Sequence, residues 1–194
     1  MNKLFSVCTL LIALFFNACT KTTAFDFFST DVYYEKAVSN LKKASIMKNM
    51  ETKALLHAVY LNNVDPEAYS DGEYFFVAVY ILEDSSLENQ KGLNNPAYSL
   101  KMIKTIELEN IDLNTSVSRE TNSTEMNPVL KQEVIPLISR SLDENNQLRL
   151  TMPIQSQWNE YYLLKFESSK DEKLELSFES DQYGKVPLTF LKAE

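Results

Sequence analysis

The run Tyr74-Phe75-Phe76-Val77-Ala78-Val79-Tyr80-Ile81 constrains this chain more than any other segment. It is apolar at both odd and even positions, so both faces of a strand placed there need cover. That predicts a strand over 73–82 in the middle of a sheet, with packed layers above and below it. The segments that follow read as further strands. Leu100, Met102, Ile106 and Leu108 alternate over 98–108, and Leu148, Leu150, Met152 and Ile154 alternate in the same way. Leu174, Leu176 and Phe178 alternate against Lys173, Glu175, Ser177 and Glu179. Tyr161–Phe166 and Val186–Leu191 complete the set, with Asp181-Gln182-Tyr183-Gly184 as a turn before the last strand.

Upstream of the central run, residues 52–61 read as one strand, and Asn62 to Gly72 as a turn-rich loop. Residues 114–127 are rich in Ser, Thr and Asn and predict a long loop. Pro136 confines 129–138 to an edge strand or a loop. Ahead of the strands, Tyr34, Ala37, Val38, Leu41 and Ala44 or Ser45 recur at helical spacing, with Asp31 as a cap and Lys42, Lys43 and Lys48 suited to the far end. This predicts a helix over about 31–48. Seven or eight strands after one helix predict a mainly β fold: an antiparallel β-sandwich, immunoglobulin- or transthyretin-like, preceded by one N-terminal α-helix. No period of the kind that builds solenoids or propellers repeats.

Residues 1–18 have a different character. Lys3 opens them, and an apolar run from Val7 to Phe16 is broken only by Thr9. That is the plan of a secretory signal, and the run is shorter than the roughly 20 residues a membrane-crossing helix needs. Phe16-Asn17-Ala18-Cys19 then resembles the lipobox of bacterial lipoprotein precursors, with Phe16 and Asn17 departing from the commonest residues of that motif. The resemblance implies cleavage before Cys19, a covalent lipid on its thiol, and a membrane anchor. Thr20, where Asp would favour retention in the inner membrane, leans the expected address towards the outer membrane, with the domain in the periplasm or at the cell surface. The expected organisation is a signal peptide over 1–18, a lipidated tether over 19–29 and one domain over 30–194.

Composition excludes several function classes. The net charge is −8, and loss of Lys3 with the signal makes the remainder more acidic still. Such a chain does not hold nucleic acid by counterion release, nor is it drawn as a whole to anionic headgroups, so the lipid is expected to do the anchoring. Of the two cysteines, Cys8 leaves with the signal and Cys19 carries lipid, which leaves no thiol for a disulfide, a nucleophile or a thiolate metal site. Gly72, Gly92 and Gly184 are the three glycines, too few and too scattered for a phosphate-binding loop.

The remaining candidate residues divide into a few groups. His57 is the single histidine and lacks the partners that nucleophilic or zinc chemistry would need, so it is read as a core or edge residue. Asp65, Glu67, Asp71 and Glu73 form an acidic loop without EF-hand spacing, read as solvated rather than calcium-binding. Trp158, Tyr161 and Tyr162 cluster at the start of a strand and form the candidate binding surface, although packing in the core or at a strand edge is the favoured explanation of such aromatics. Asn114 and Asn122 stand in Asn-x-Ser/Thr acceptors. Asp112 and Glu120, two positions earlier, make both resemble the longer acceptor of bacterial oligosaccharyltransferases. Neither catalytic residues nor metal ligands are assigned. The adjacent acids Glu83/Asp84 and Asp143/Glu144 would point apart on a strand, which disfavours a carboxylate-based glycan hydrolase.

Residues 53–62, 73–81 and 158–166 together resemble a group of Gram-negative lipoproteins built as a lipobox, a helix and one β domain. A more distant resemblance is to the small outer-membrane lipoprotein of the type VI secretion membrane complex, which shares the plan alone. These resemblances imply an address and an architecture and supply no site. The expected role is a non-enzymatic, membrane-anchored binding or assembly module, its partner another envelope protein or a glycan. Service in a secretion-system membrane complex is the alternative, with a carboxylate-based cell-wall glycan hydrolase as a less favoured one.

Overall fold

The computed structural model describes residues 31–82, 90–107 and 129–193. Compact organisation divides the chain into Met1–Val32 and Tyr33–Glu194, and the fold is that of the second unit. Cys19, Asn114, Asn122 and the Glu83/Asp84 pair lie outside the described residues.

Helix α1 covers Val32–Ser39 and is followed at once by strand β1, Leu41–Lys48. The helix expected over 31–48 therefore ends near its middle. Ser39 Oγ and Asn40 Nδ2 both donate to the Lys36 carbonyl at 2.9 Å, which also accepts the last helical bond, from Asn40 N, at 3.1 Å. Beyond them Ala44 and Ile46 are buried at a spacing of two, and β1 pairs antiparallel with β2, Glu51–Tyr60. The apolar residues of 41–48 fit either period, and pairing with β2 decided it. Asn49 and Met50, with φ of 53° and 66°, form the two-residue connection. Positive φ at both central positions is the mark of a type I′ hairpin turn.

The remaining strands are β3 (Glu73–Ile81), β4 (Tyr98–Glu107), β5 (Val129–Val134), β6 (Ile138–Ser141), β7 (Glu160–Phe166), β8 (Lys173–Ser180) and β9 (Gly184–Leu191). That is nine among the described residues, where seven or eight were expected. Sheet one has the order β1-β2-β3-β7-β6 and sheet two β5-β4-β8-β9. All the pairings are antiparallel. The fold is thus mainly β, two antiparallel sheets preceded by a helix, in a sandwich-like arrangement. β5 and β6 flank Pro136 and each closes the edge of a sheet, where a residue without an N–H costs the ladder nothing.

The segment read as a strand over 148–154 is instead the short helix α3, Gln147–Thr151. Asn146 caps it, its side chain accepting from Leu148 N, and Pro153 follows its end. Met152 and Ile154 are buried as expected of that segment, but against the outside of sheet one rather than within a ladder.

The main core lies between the sheets. Leu56, Phe75, Val77, Tyr162, Leu164 and Phe166 of sheet one meet Leu100, Met102, Leu176, Phe178, Leu188 and Phe190 of sheet two. Phe75 and Phe190 bridge the layers edge-to-face with ring centroids 5.2 Å apart. A second cluster covers the outer face of sheet one. There Ala37 of α1, Leu61 and Val64 of the short helix α2 (Leu61–Val64), Met152 and Ile154 pack on Val59, Phe76, Ala78, Tyr161 and Leu163. β3 is therefore covered on both sides, as its sequence required: Phe75, Val77 and Val79 face the second sheet, while Phe76 and Ala78 face the helical layer.

Candidate functional site

The helical layer covers only part of the outer face of sheet one. Leu55 and Tyr80 are register partners on that face, and both are half-buried. Beside them the chain between α3 and β7 passes with Ser156, Trp158 and Asn159. These five residues line an open hollow of about 370 Å³. The Trp158 side chain is 71% exposed. A large apolar ring in so wet a place contributes little to folding, and ligand hollows of this kind combine apolar walls with a few polar groups.

The loop that presents Trp158 is held firmly. Tyr161 Oη donates to the Ser156 carbonyl at 2.9 Å and accepts from Ser156 N at 2.7 Å. Ser156 Oγ accepts from Trp158 N at 3.2 Å, and Arg149 stacks over the Tyr161 ring at 4.2 Å. Tyr161 thus fixes the loop from below.

The three aromatics expected to form one surface are divided by the strand. Trp158 precedes β7 and is exposed, whereas Tyr161 and Tyr162 are each 1% exposed and point to opposite sides of sheet one. Alternation within β7 sends Tyr161 to the outer cluster and Tyr162 into the main core. Only Trp158 remains a surface candidate. Tyr162 Oη instead donates to the Lys91 carbonyl at 3.1 Å and accepts from Leu93 N at 3.0 Å.

His57 lies one step along the same outer face, paired with Lys43 of β1 and Ala78 of β3. Its Nδ1 is buried without a hydrogen-bond partner among the described residues. Burial, helped by the nearby Lys43 charge, lowers its pKa below the ordinary 6.5. The imidazole is neutral at neutral pH and lies at the border of the covered and uncovered parts of the face.

The acidic loop does not converge on a point. Asp65 accepts from Ala68 N, and Asp71 binds Lys165 at 2.7 Å and the Tyr74 hydroxyl at 2.6 Å. Those two partners hold the Asp71 carboxyl below its usual range. Glu73 turns inward and is 3% exposed. It accepts from the Tyr60 hydroxyl, from Ser169 N at 2.8 Å and from Lys192 Nζ at 2.7 Å. Burial and the Glu73 carboxylate together push the Tyr60 hydroxyl far above its ordinary pKa. Among the described residues no group of three or more His, Cys, Asp or Glu side chains is placed to hold a metal ion. Asp143 accepts from Asn145 N at 3.0 Å as part of a turn.

Sequence reading missed Leu55, Tyr80 and Asn159 as members of the hollow. Leu55 and Tyr80 sit in apolar strands where a core role is the default, and only their register places them side by side on the uncovered part of a face. The fold and this hollow define the chain as a two-sheet antiparallel β protein with an exposed tryptophan platform. No family model, curated protein or solved structure matches it.

Proposed function

We propose that the chain is the precursor of a membrane-anchored envelope lipoprotein, and that its β domain is a non-enzymatic binding module. The observation that carries the binding part is Trp158, 71% exposed on a hollow of about 370 Å³ and braced by the Ser156–Tyr161 hydrogen bonds. A braced, exposed aromatic loses little conformational freedom when it is covered, which favours binding. The Phe16-Asn17-Ala18-Cys19 motif supports the address, because acyl chains contribute about 0.8 kcal/mol per buried methylene and two chains anchor stably.

The test is the mass of the mature N-terminal peptide from membranes, beside a Cys19→Ser chain. A peptide that begins at Cys19 and carries diacylglycerol is the expected result. An unmodified peptide with another start would overturn the anchor.

A further inference from the structure

The geometry points to the Trp158 hollow as a binding site for the pyranose ring of a neutral glycan. This deepens the reading of the domain as a binding module and rests on it. Leu55, Tyr80 and Trp158 supply its apolar and aromatic lining, and Ser156 and Asn159 its polar lining. Among the described residues neither the Asn159 amide nor the Tyr80 hydroxyl has a hydrogen-bond partner. A ligand that covered the hollow must satisfy both or bear the cost of leaving them dry and unpaired.

That requirement separates the ligand classes. A purely apolar ligand would cover Trp158 but strand the amide and the phenol. An anionic ligand would meet a chain of net charge −8, with Glu160 next to Asn159 in sequence. A neutral pyranose meets both conditions. Its axial C–H groups form an apolar, slightly positive face that suits the negative face of an indole ring, and its ring of hydroxyls both donates and accepts. The size fits as well, since 370 Å³ lies at the small end of the range for ligand hollows and is open enough for a chain of sugars to run through.

Trp158 is the only tryptophan of the chain, so its emission reports on the hollow directly. The full chain, extracted from membranes in a zwitterionic detergent without a sugar headgroup, is titrated with maltopentaose and with chitotetraose. The expected result is a saturable shift in Trp158 emission with at least one of them. Asn159→Ala and Tyr80→Phe each remove one hydrogen-bonding group and are expected to weaken that binding roughly 5- to 10-fold. No saturable change with either sugar overturns the proposal, and so does a change that both variants leave intact. The underlying reading is checked on the same sample. Release of shorter sugars would sink its non-enzymatic part, and an N-terminal peptide without lipid would sink its anchor, while the titration judges the sugar site independently.

Discussion

Lys192 Nζ lies 2.7 Å from Glu73 Oε1 and ties the tail that leaves sheet two to a strand of sheet one. Glu73 opens β3 in sheet one, and Lys192 follows the end of β9 in sheet two. The Glu73 side chain is 4% exposed and that of Lys192 25%. The tail around Lys192 is clipped a second time by Asn63, whose side chain donates to the Leu191 carbonyl at 2.8 Å and accepts from Ala193 N at 2.9 Å.

Removing the lysine leaves a buried carboxylate with the Tyr60 hydroxyl and Ser169 N as its remaining partners. Lys192→Met is expected to cost about 1–3 kcal/mol, less than for a fully buried pair because Lys192 touches solvent. Adding Glu73→Gln to Lys192→Met should restore part of the loss, since the neutral amide tolerates burial better than an unpaired charge. Urea unfolding of the two single variants and the double variant reads the coupling. Strict additivity would show that the contact contributes nothing of its own.

Gly92 has φ of +55°, and a Cβ there would lie 2.4 Å from Tyr162 Oη and 2.8 Å from Glu160 Cβ. Gly92→Ala should therefore cost about 1–3 kcal/mol through strain and the displaced tyrosine. Tyr162→Phe keeps the ring and loses both hydrogen bonds to the Lys91–Leu93 turn, at about 1–2 kcal/mol. A thermal melt checks both. A Gly92→Ala protein that melts with the wild type would mean that this turn is free to move away from β7.

Met50 is 96% exposed and holds φ of +66° in the β1–β2 turn. Non-glycine residues in this left-handed region carry a penalty of roughly 1–2 kcal/mol, and Asn-Gly is the favoured pair for a type I′ turn. Met50→Gly completes that pair and gives up no packing. The gain is trimmed by the extra freedom of glycine in the unfolded chain, leaving about 0.5–1 kcal/mol of added stability. The expected readout is a higher urea midpoint with an unchanged slope. A lower midpoint would show that Met50 makes contacts its exposure does not suggest.

The strands were legible wherever apolar periodicity had one interpretation. The run 74–81 is apolar on both parities and became a strand covered on both sides, and Leu174, Leu176 and Phe178 alternate against charged and polar residues as the strand there does. Two segments misled, one because its pattern fits either period and one because alternation alone does not make a strand. In 41–48 the apolar residues suit a helix or a strand, and the Ser39–Asn40 cap together with pairing to β2 chose the strand. In 148–154 clean alternation suggested a strand, but the Asn146 cap and Pro153 made a short helix whose residues cover the outside of a sheet. The site was legible only through Trp158. Its neighbours Leu55 and Tyr80 are 25 positions apart in sequence, and only strand register makes them adjacent. Tyr161 and Tyr162 looked like its companions because composition does not reveal which side of a strand meets the core.

His57 supplies a pH dependence whose sign follows from the direction of its shift. Burial and Lys43 lower its pKa in the folded chain, while the unfolded chain titrates near the ordinary 6.5. Between those two values the unfolded chain binds more protons, so stability rises with pH through that window. The neutral imidazole has no penalty above 6.5, and stability is lost as pH falls from there towards the folded value. The depressed carboxyls of Asp71 and Glu179 act in a separate, more acidic window, below their ordinary values of 3.8 and 4.5. For Glu179, burial alone would raise the value, and hydrogen bonds from Lys101 and Ser177 outweigh it. Urea midpoints at about pH 7.5 and about pH 5.5 lie on either side of the ordinary histidine value. The midpoint should fall at the lower pH in the wild type, and His57→Gln should flatten that part of the fall. Lys43→Gln, which removes the neighbouring charge but leaves the burial, should flatten it only in part. An unaltered slope in the His57→Gln chain would place the proton uptake elsewhere.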